Sequence, residues 1–451
     1  MKLYTIAFVA ALAPATAAQS SLVYSMDGDE IPLDGAAGLE SQRTFLQDEL
    51  IVFTPGGNPS ARTFLSYDAQ WAYIGDLDND GTFVDSSSDG PGGDTNAVFV
   101  KRFPAAATSV GPRDIYMSKE ANTNLGGLVD DGGVFRYDAQ GSIEVFVSED
   151  DLNLATGGSI DLDAICQDDQ GNLYISIALD SGGFTDADVI LIPAAAITYD
   201  ANDNVSAIVA GSAISLSGDP ELNGWVANSG FATSVGGSAA STLDLSGLEI
   251  DPAGGTWVSP ITQTAHPNLL FVWSGFSNDG GILSTAGGGS IATINGVPMA
   301  SATATTGAQI GLLPDSTGLG GIMGLGLIPQ AQPMSLENWP RSLITTSTIL
   351  FTRQEVGGAT PGGLVAFFYD NLPNTMGTAA GSVPLPPSFG GQLLGDGSVE
   401  VFSIQSAGFD GFASATTQMP TTLWGSDLYI LLQAYDVASA TFSTPSTIDF
   451  L

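Results

Sequence analysis

Apolar positions along this chain come in short runs broken by Asp, Gly and Asn, and amphipathic helical spacing is scarce. The runs are rich in β-branched and aromatic residues, which fit a pleated, half-buried surface. The clearest unit is Leu162 to Ser176 (LDAICQDDQGNLYIS), where two strands flank the turn Asp168-Asp169-Gln170-Gly171. Gly171 supplies the positive φ that such a turn requires. Residues 245–259 (LSGLEIDPAGGTWVS) read as a second copy and 71–84 (WAYIGDLDNDGTFV) as a third. A further hairpin is expected over 133–147, turning at Asp138 to Gly141. Other expected strands are 189–192, 205–209, 269–273, 349–352, 364–369, 398–404 and 428–435.

Repeated antiparallel units of about 40–50 residues point to propeller blades. The Asp-x-x-Gly-Asn-Leu-Tyr-Ile unit at 162–176 follows a Val-Phe-Arg-Tyr-Asp-x-x-Gly hairpin. Together they resemble blades of the six-bladed β-propellers of the NHL and gluconolactonase type. The resemblance covers 133–177 and 243–275 and implies an all-β fold, a β-propeller of six blades. The 406 residues of 46–451 then allow about 68 per blade, so long loop insertions are expected at 211–242 and 282–320. A β-sandwich pair or a β-helix is the structural alternative. The expected organisation is a signal peptide at 1–17, an N-terminal extension at 18–45 and the propeller at 46–451.

The leader is read from Lys2, the apolar run Ile6 to Leu12 and the small residues Ala15-Thr16-Ala17. The apolar run is too short to span a bilayer, and no later stretch qualifies. The expectation is a secreted, extracellular or cell-surface protein without a transmembrane segment.

Charge sharpens that picture. The 451 residues carry 10 Lys+Arg against 48 Asp+Glu, a formal net charge of −38. No Lys or Arg lies between Arg136 and Arg341, and none follows Arg353. A phosphate backbone needs a basic footprint, so nucleic acid is excluded as a partner. One Cys (Cys166) and one His (His266) leave no intrachain disulfide and no site built on two imidazoles. Partners are therefore expected among extracellular ligands or proteins, and the chain could assemble with itself where divalent cations offset its charge.

The sharpest local motif is Asp76-Leu-Asp78-Asn-Asp80-Gly81. Carboxylates at positions 1, 3 and 5 with Gly at 6 wrap Ca²⁺ in EF-hand-type loops. The stretch resembles the calcium loops of EF-hand and dockerin proteins, which implies ligation by Asp76, Asp78 and Asp80 and by the Thr82 carbonyl. Position 12 is Ser87 rather than Glu, and Asp85 or Asp89 is the expected substitute ligand. Asp27-Gly-Asp29-Glu30 and Asp200 to Asn204 are weaker cation candidates, read first as turns. The gluconolactonase-type resemblance implies a channel metal, for which Asp163 and Glu249 are the candidate carboxylates. Cys166 is expected as a buried structural thiol and His266 as a surface or packing residue. No Gly-x-Ser-x-Gly elbow occurs. The functional expectation is a calcium-stabilised extracellular binding or surface-structural module; the rival is a metal-dependent hydrolase of phosphoesters or lactones with Asp163 and Glu249 as catalytic groups.

Overall fold

A computed structural model describes residues 20–26, 31–32, 49–55, 61–65, 95, 97–100, 115–118, 132–137, 143–229, 243–274, 281–299, 312–313, 322–328, 334–339, 351–370, 374–375, 399–408, 411–418, 428–444 and 446–450. Strands dominate, in many small antiparallel sheets, with two short α-helices among the described residues.

Four of the sheets have four strands each. The first runs in order through Val98–Val100, Ile115–Met117, Val134–Tyr137 and Ile143–Val147. The second runs through Leu162–Gln167, Leu173–Ile177, Ile190–Ile192 and Ile214–Ser215. The third runs through Asp244–Ile250, Leu269–Ser274, Leu283–Ser284 and Ser290–Ile291. The fourth joins the two ends of this stretch of chain: Ile322–Ile328 pairs with Ser21–Met26, which pairs with Leu50–Phe53 and then Arg62–Leu65. Residues 21–26 were expected in an extension. Every one of them is buried, because they form the second strand of this sheet.

The first-named strands of the four sheets meet. Val98–Val100 packs on Leu162–Gln167, that strand on Asp244–Ile250, that on Ile322–Ile328, and the last again on Val98–Val100. Glycine permits the approach. A Cβ on Gly324 would lie 2.9 Å from both the Val98 amide nitrogen and Ser25 Oγ, and one on Gly247 would lie 2.5 Å from Val272 Cγ2. Hydroxyls tie consecutive sheets together. Ser25 Oγ donates to the Thr95 carbonyl, Ser176 Oγ to that of Leu245 and Ser246 Oγ to that of Ile322. A buried hydroxyl needs such a partner, and here the partner is always in the next sheet or at its edge.

The 162–176 hairpin forms as expected, with Gly171 at φ +85°, and the 133–147 hairpin stands in the neighbouring sheet. The 245–259 copy differs. Asp244–Ile250 pairs with Leu269–Ser274, and Thr256–Val258 instead pairs with Ala265–Pro267 in a separate hairpin interposed between them. The 71–84 copy lies outside the described residues. Two expected insertions also hold regular structure: 211–242 contains strand Ile214–Ser215 and helix Asp219–Ser229, and 282–320 supplies the two outer strands of the third sheet.

Residues 334–450 form two further sheets facing one another. One has three strands, Ser335–Trp339, Phe351–Gly357 and Ala413–Gln418. The other has six: Leu364–Asp370, Asn374–Thr375, Val399–Ser406, Leu428–Asp436, Thr441–Phe442 and Ser446–Phe450. Their shared core, with Leu336, Val356, Val365, Phe367, Leu432 and Ile448, takes residues from 334–448 alone. The other three cores draw only on residues before 329.

Arg62 bridges the two parts. Its Nη2 lies 3.0 Å from Glu337 Oε2 and donates to the Glu355 carbonyl at 3.2 Å, and its guanidinium sits 4.7 Å from the centroid of the Phe412 ring. Glu337 Oε1 also accepts from the Thr63 amide at 2.7 Å. Both charged side chains are buried.

Candidate functional site

The Asp-led turns owe their shape to their carboxylates. Asp168 Oδ1 accepts from the amides of Gln170 and Asn172, each at 2.9 Å, and Oδ2 accepts from Asn172 Nδ2 at 2.7 Å. Asp251 Oδ1 accepts from the Ala253 amide at 2.8 Å while Ser284 Oγ donates to Oδ2. Asp200 Oδ1 accepts from the amides of Asn202 and Asn204. These are Asx turns, in which the carboxylate takes up backbone donors that the tight bend strands. The plain-turn reading of 200–204 is the one the geometry matches.

Asp163 and Glu249 are both buried and lie on adjoining strands, Leu162–Gln167 and Asp244–Ile250. Glu249 reaches across to the neighbouring sheet: its Oε2 accepts from the Leu327 amide at 3.0 Å and its Oε1 from the Ile250 amide at 2.6 Å. Its carboxylate thereby fastens two sheets. Among the described residues, no three His, Cys, Asp or Glu side chains converge as a metal-holding group. Asp76, Asp78, Asp80, Thr82 and Asp85 all lie outside the described residues, as do Asp27, Asp29 and Glu30.

Cys166 is a buried free thiol, paired across the strands with Tyr174. His266 is buried on Ala265–Pro267, where Nε2 lies 2.7 Å from Thr264 Oγ1 and the ring packs edge-on to Tyr174 with centroids 6.3 Å apart. Burial pulls its pKa below the usual imidazole value, against the opposing pull of the Asp168 charge. Tyr174 is driven far up by burial, with the Asp168 and Cys166 charges adding to the rise. These residues sit in an aromatic interior that also holds Trp257 and Trp225, whose ring centroids are 5.5 Å apart.

The cluster that sequence reasoning missed is acidic. It comprises Asp180, Asp186 and Asp188 in the connection after Leu173–Ile177, and Asp219 and Glu221 in the first turn of helix Asp219–Ser229. Backbone bonds hold the connection in place, from the Leu245 amide to the Asp186 carbonyl and from the Leu216 amide to the Val189 carbonyl. Thr185 donates to Asp188 through its amide and its hydroxyl, each at 3.1 Å, and the Gly218 amide donates to Glu221 Oε2 at 3.1 Å. Gly218 leaves room for the acids: a Cβ there would lie 2.9 Å from Asp188 Oδ1.

Both central carboxyls titrate above the ordinary Asp value. For Asp186 burial is the largest cause, followed by the charges of Asp180 and Asp219. For Asp188 burial again leads and outweighs the hydrogen bonds from Thr185, with Asp219 adding to the rise. The Asp180 and Asp219 charges thus oppose ionisation of Asp186, and that of Asp219 opposes ionisation of Asp188, in a stretch of sequence that has no Lys or Arg from 137 to 340.

No known protein family and no curated protein matches this sequence.

Proposed function

We propose that the chain is an exported, acidic binding or surface-structural module that takes up divalent cations, with Ca²⁺ the ion its oxygen-only donors suit. The observation that carries this reading is the motif Asp76-Leu-Asp78-Asn-Asp80-Gly81 on a chain of net charge −38. The loop of Asp76, Asp78, Asp80, Thr82 and Asp85 is the proposed uptake point. Asp186 and Asp188, raised by burial and by neighbouring acidic charges, add acidic surface and are not, among the described residues, a metal-holding group. The leader at 1–17 and the net charge of −38 agree with export.

The scaffold proposed for this module is a β-propeller of four blades, rather than the six that the resemblance implies, followed by a two-sheet sandwich at 334–450. Support comes from the four first-named strands, each packed on the next and the last on the first. The N-terminal strand seated beside Ile322–Ile328 would then close the ring by joining chain ends, and the rest of the chain forms a separate core.

The test is thermal melting of the full chain in chelator and in millimolar CaCl₂. An ion bound only by the folded state stabilises it by about 2.7 kcal/mol at 100 times its dissociation constant. The melting temperature should rise with Ca²⁺. Asp78→Ala should lose most of that rise, whereas Asp186→Asn with Asp188→Asn should melt higher than wild type in chelator and respond to Ca²⁺ as wild type does. A wild type whose melting ignores millimolar Ca²⁺ would defeat the cation reading.

A further inference from the structure

The hairpin of Thr293–Ile294 and Val297–Pro298 turns on Asn295-Gly296, with φ +53° at Asn295 and +80° at Gly296. Two positive φ values fit a type I′ turn, for which Asn-Gly is a preferred pair. The Asn295 side chain reaches a distant part of the chain. Its Oδ1 accepts from the Ser20 amide at 2.9 Å, and its Nδ2 donates to the Ser20 carbonyl at 2.8 Å and to the Pro55 carbonyl at 2.9 Å. Ser20 leads into the buried strand Ser21–Met26, and Pro55 lies just beyond Leu50–Phe53, its neighbour in the fourth sheet. Beneath the turn, Ile294 shares a core with Leu22, Tyr24, Ile51 and Phe53. One carboxamide thus latches the start of one strand to the end of another. It needs an acceptor and a donor of two protons at once, which a carboxylate does not supply.

The same dipeptide is chemically vulnerable. Glycine presents its amide nitrogen to the preceding Asn with no side chain to shield it, and nothing lies within 4 Å of where a Cβ on Gly296 would stand. Asn295 and Gly296 are both exposed to water. The chain has one other Asn-Gly pair, Asn223-Gly224. That pair lies inside helix Asp219–Ser229, with Asn223 Nδ2 donating to the Asp219 carbonyl at 2.7 Å. The Asn295 carboxamide is held by the latch, whose Ser20 bonds are exposed and sit at a strand end, where structure opens at little cost. We propose that Asn295 is a site of spontaneous deamidation, and that the reaction releases the latch. With the latch open, the Gly296 amide nitrogen bonds to Asn295 Cγ and gives its proton to water. The Cγ–Nδ2 bond breaks, and Nδ2 takes a proton from water and leaves as ammonia. A water molecule then opens the cyclic imide at either carbonyl, giving Asp or isoaspartate. The step consumes one water, releases one ammonia and needs no oxidant or reductant. A carboxylate now stands where the amide stood, so an oxygen meets the Ser20 and Pro55 carbonyls in place of a donor, and the latch does not re-form. This inference is independent of the cation reading.

Incubation of the full chain at mildly alkaline pH, followed by peptide mass mapping, tests it. The native chain should convert Asn295 faster than Asn223 by about tenfold or more. In urea, where helix and latch are both lost, the two rates should converge. Equal rates in the native chain overturn the proposal, as does a native Asn295 that stays an amide while the unfolded one converts. Asn295→Asp supplies the product's carboxylate, and Asp tolerates the left-handed backbone as Asn does. That variant should fold and show amide hydrogen exchange across Ser21–Met26 raised about tenfold. Exchange there that matches wild type would mean that the carboxamide holds nothing in place, and the release would be wrong even if Asn295 deamidates.

Discussion

Asp436 shows how far one carboxylate can be stabilised by its neighbours. It is buried, which alone would raise its pKa, yet hydrogen bonds from the Thr360 hydroxyl and amide, Ser439 and the Ala438 amide outweigh burial and leave it below the ordinary Asp value. A depressed carboxyl contributes stability that is fully present above the unfolded-state pKa and is lost as pH falls through the folded one. Asp186 and Asp188 have the opposite sign. Their raised pKa values mean that their charged forms cost stability at neutral pH, a cost relieved as pH falls through the folded-state values. Asp436→Ala is therefore expected to lose about 3 kcal/mol at pH 7 in urea unfolding, and to lose progressively less as pH falls through the folded-state value of Asp436. The Asp186→Asn, Asp188→Asn chain should gain most over wild type at neutral pH and least in acid. Equal gains at pH 7 and pH 3 would show that repulsion between these carboxylates is not what the substitutions relieve. Of the acidic cluster, only its raw material was legible in the sequence. Asp180 and Asp219 are far apart in the chain, and what joins them is a pair of backbone bonds from the 186–189 connection to strands elsewhere.

Among the elements, local chemistry was legible and long-range pairing was not. The 162–176 hairpin could be read because its Asp168 turn and both strands are contiguous. Asp251 builds the same kind of turn, yet the strand that answers Asp244–Ile250 begins only at Leu269, after an inserted hairpin. Thr256–Val258, with its Trp, fits a strand in either place, so the local pattern could not tell them apart. Helix Asp219–Ser229 was hidden by weak amphipathicity and by Gly224, although Asp219-Pro220-Glu221 is a start signal that could have been used. The sequence pattern gives the glycines of the meeting strands no distinct role, whereas at Gly324 and Gly247 neighbouring backbone and side chains leave no space for a Cβ. Gly324→Ala should accordingly cost about 1–3 kcal/mol, since the Val98 backbone on one side cannot yield as a flexible side chain would. Chemical denaturation measures it, with Gly224→Ala in helix Asp219–Ser229 as the control, where no atom lies within 4 Å of the new methyl and the change should be neutral or stabilising.

For the whole molecule, the all-β class and its many small sheets were legible from the strand-and-turn pattern, while the way its parts join was not, because among the described residues it includes an ion pair between Arg62 and a partner 275 residues away. Arg62 sits on the last strand of the fourth sheet, and Glu337 on an outer strand of the three-stranded sheet. Two buried opposite charges do not stabilise merely by attraction, since both have left water. The geometry here offsets that loss: Glu337 takes a second donor from the Thr63 amide, and Arg62 also meets the Glu355 carbonyl and the Phe412 ring. The Thr63 amide belongs to that last strand and takes a side chain rather than another strand as its partner, so the contact also covers a sheet edge. Removing one partner leaves the other charge buried and unmatched, which costs about 3–5 kcal/mol. Arg62→Met keeps most of the volume and discards the charge. It is expected to destabilise by about that amount and to split unfolding into two transitions, because residues 334–448 hold a core of their own. Adding Glu337→Gln to Arg62→Met should recover much of the loss by removing the stranded carboxylate. A single cooperative transition with little loss in Arg62→Met would mean that the apolar contacts of the junction, rather than this ion pair, hold the two parts together.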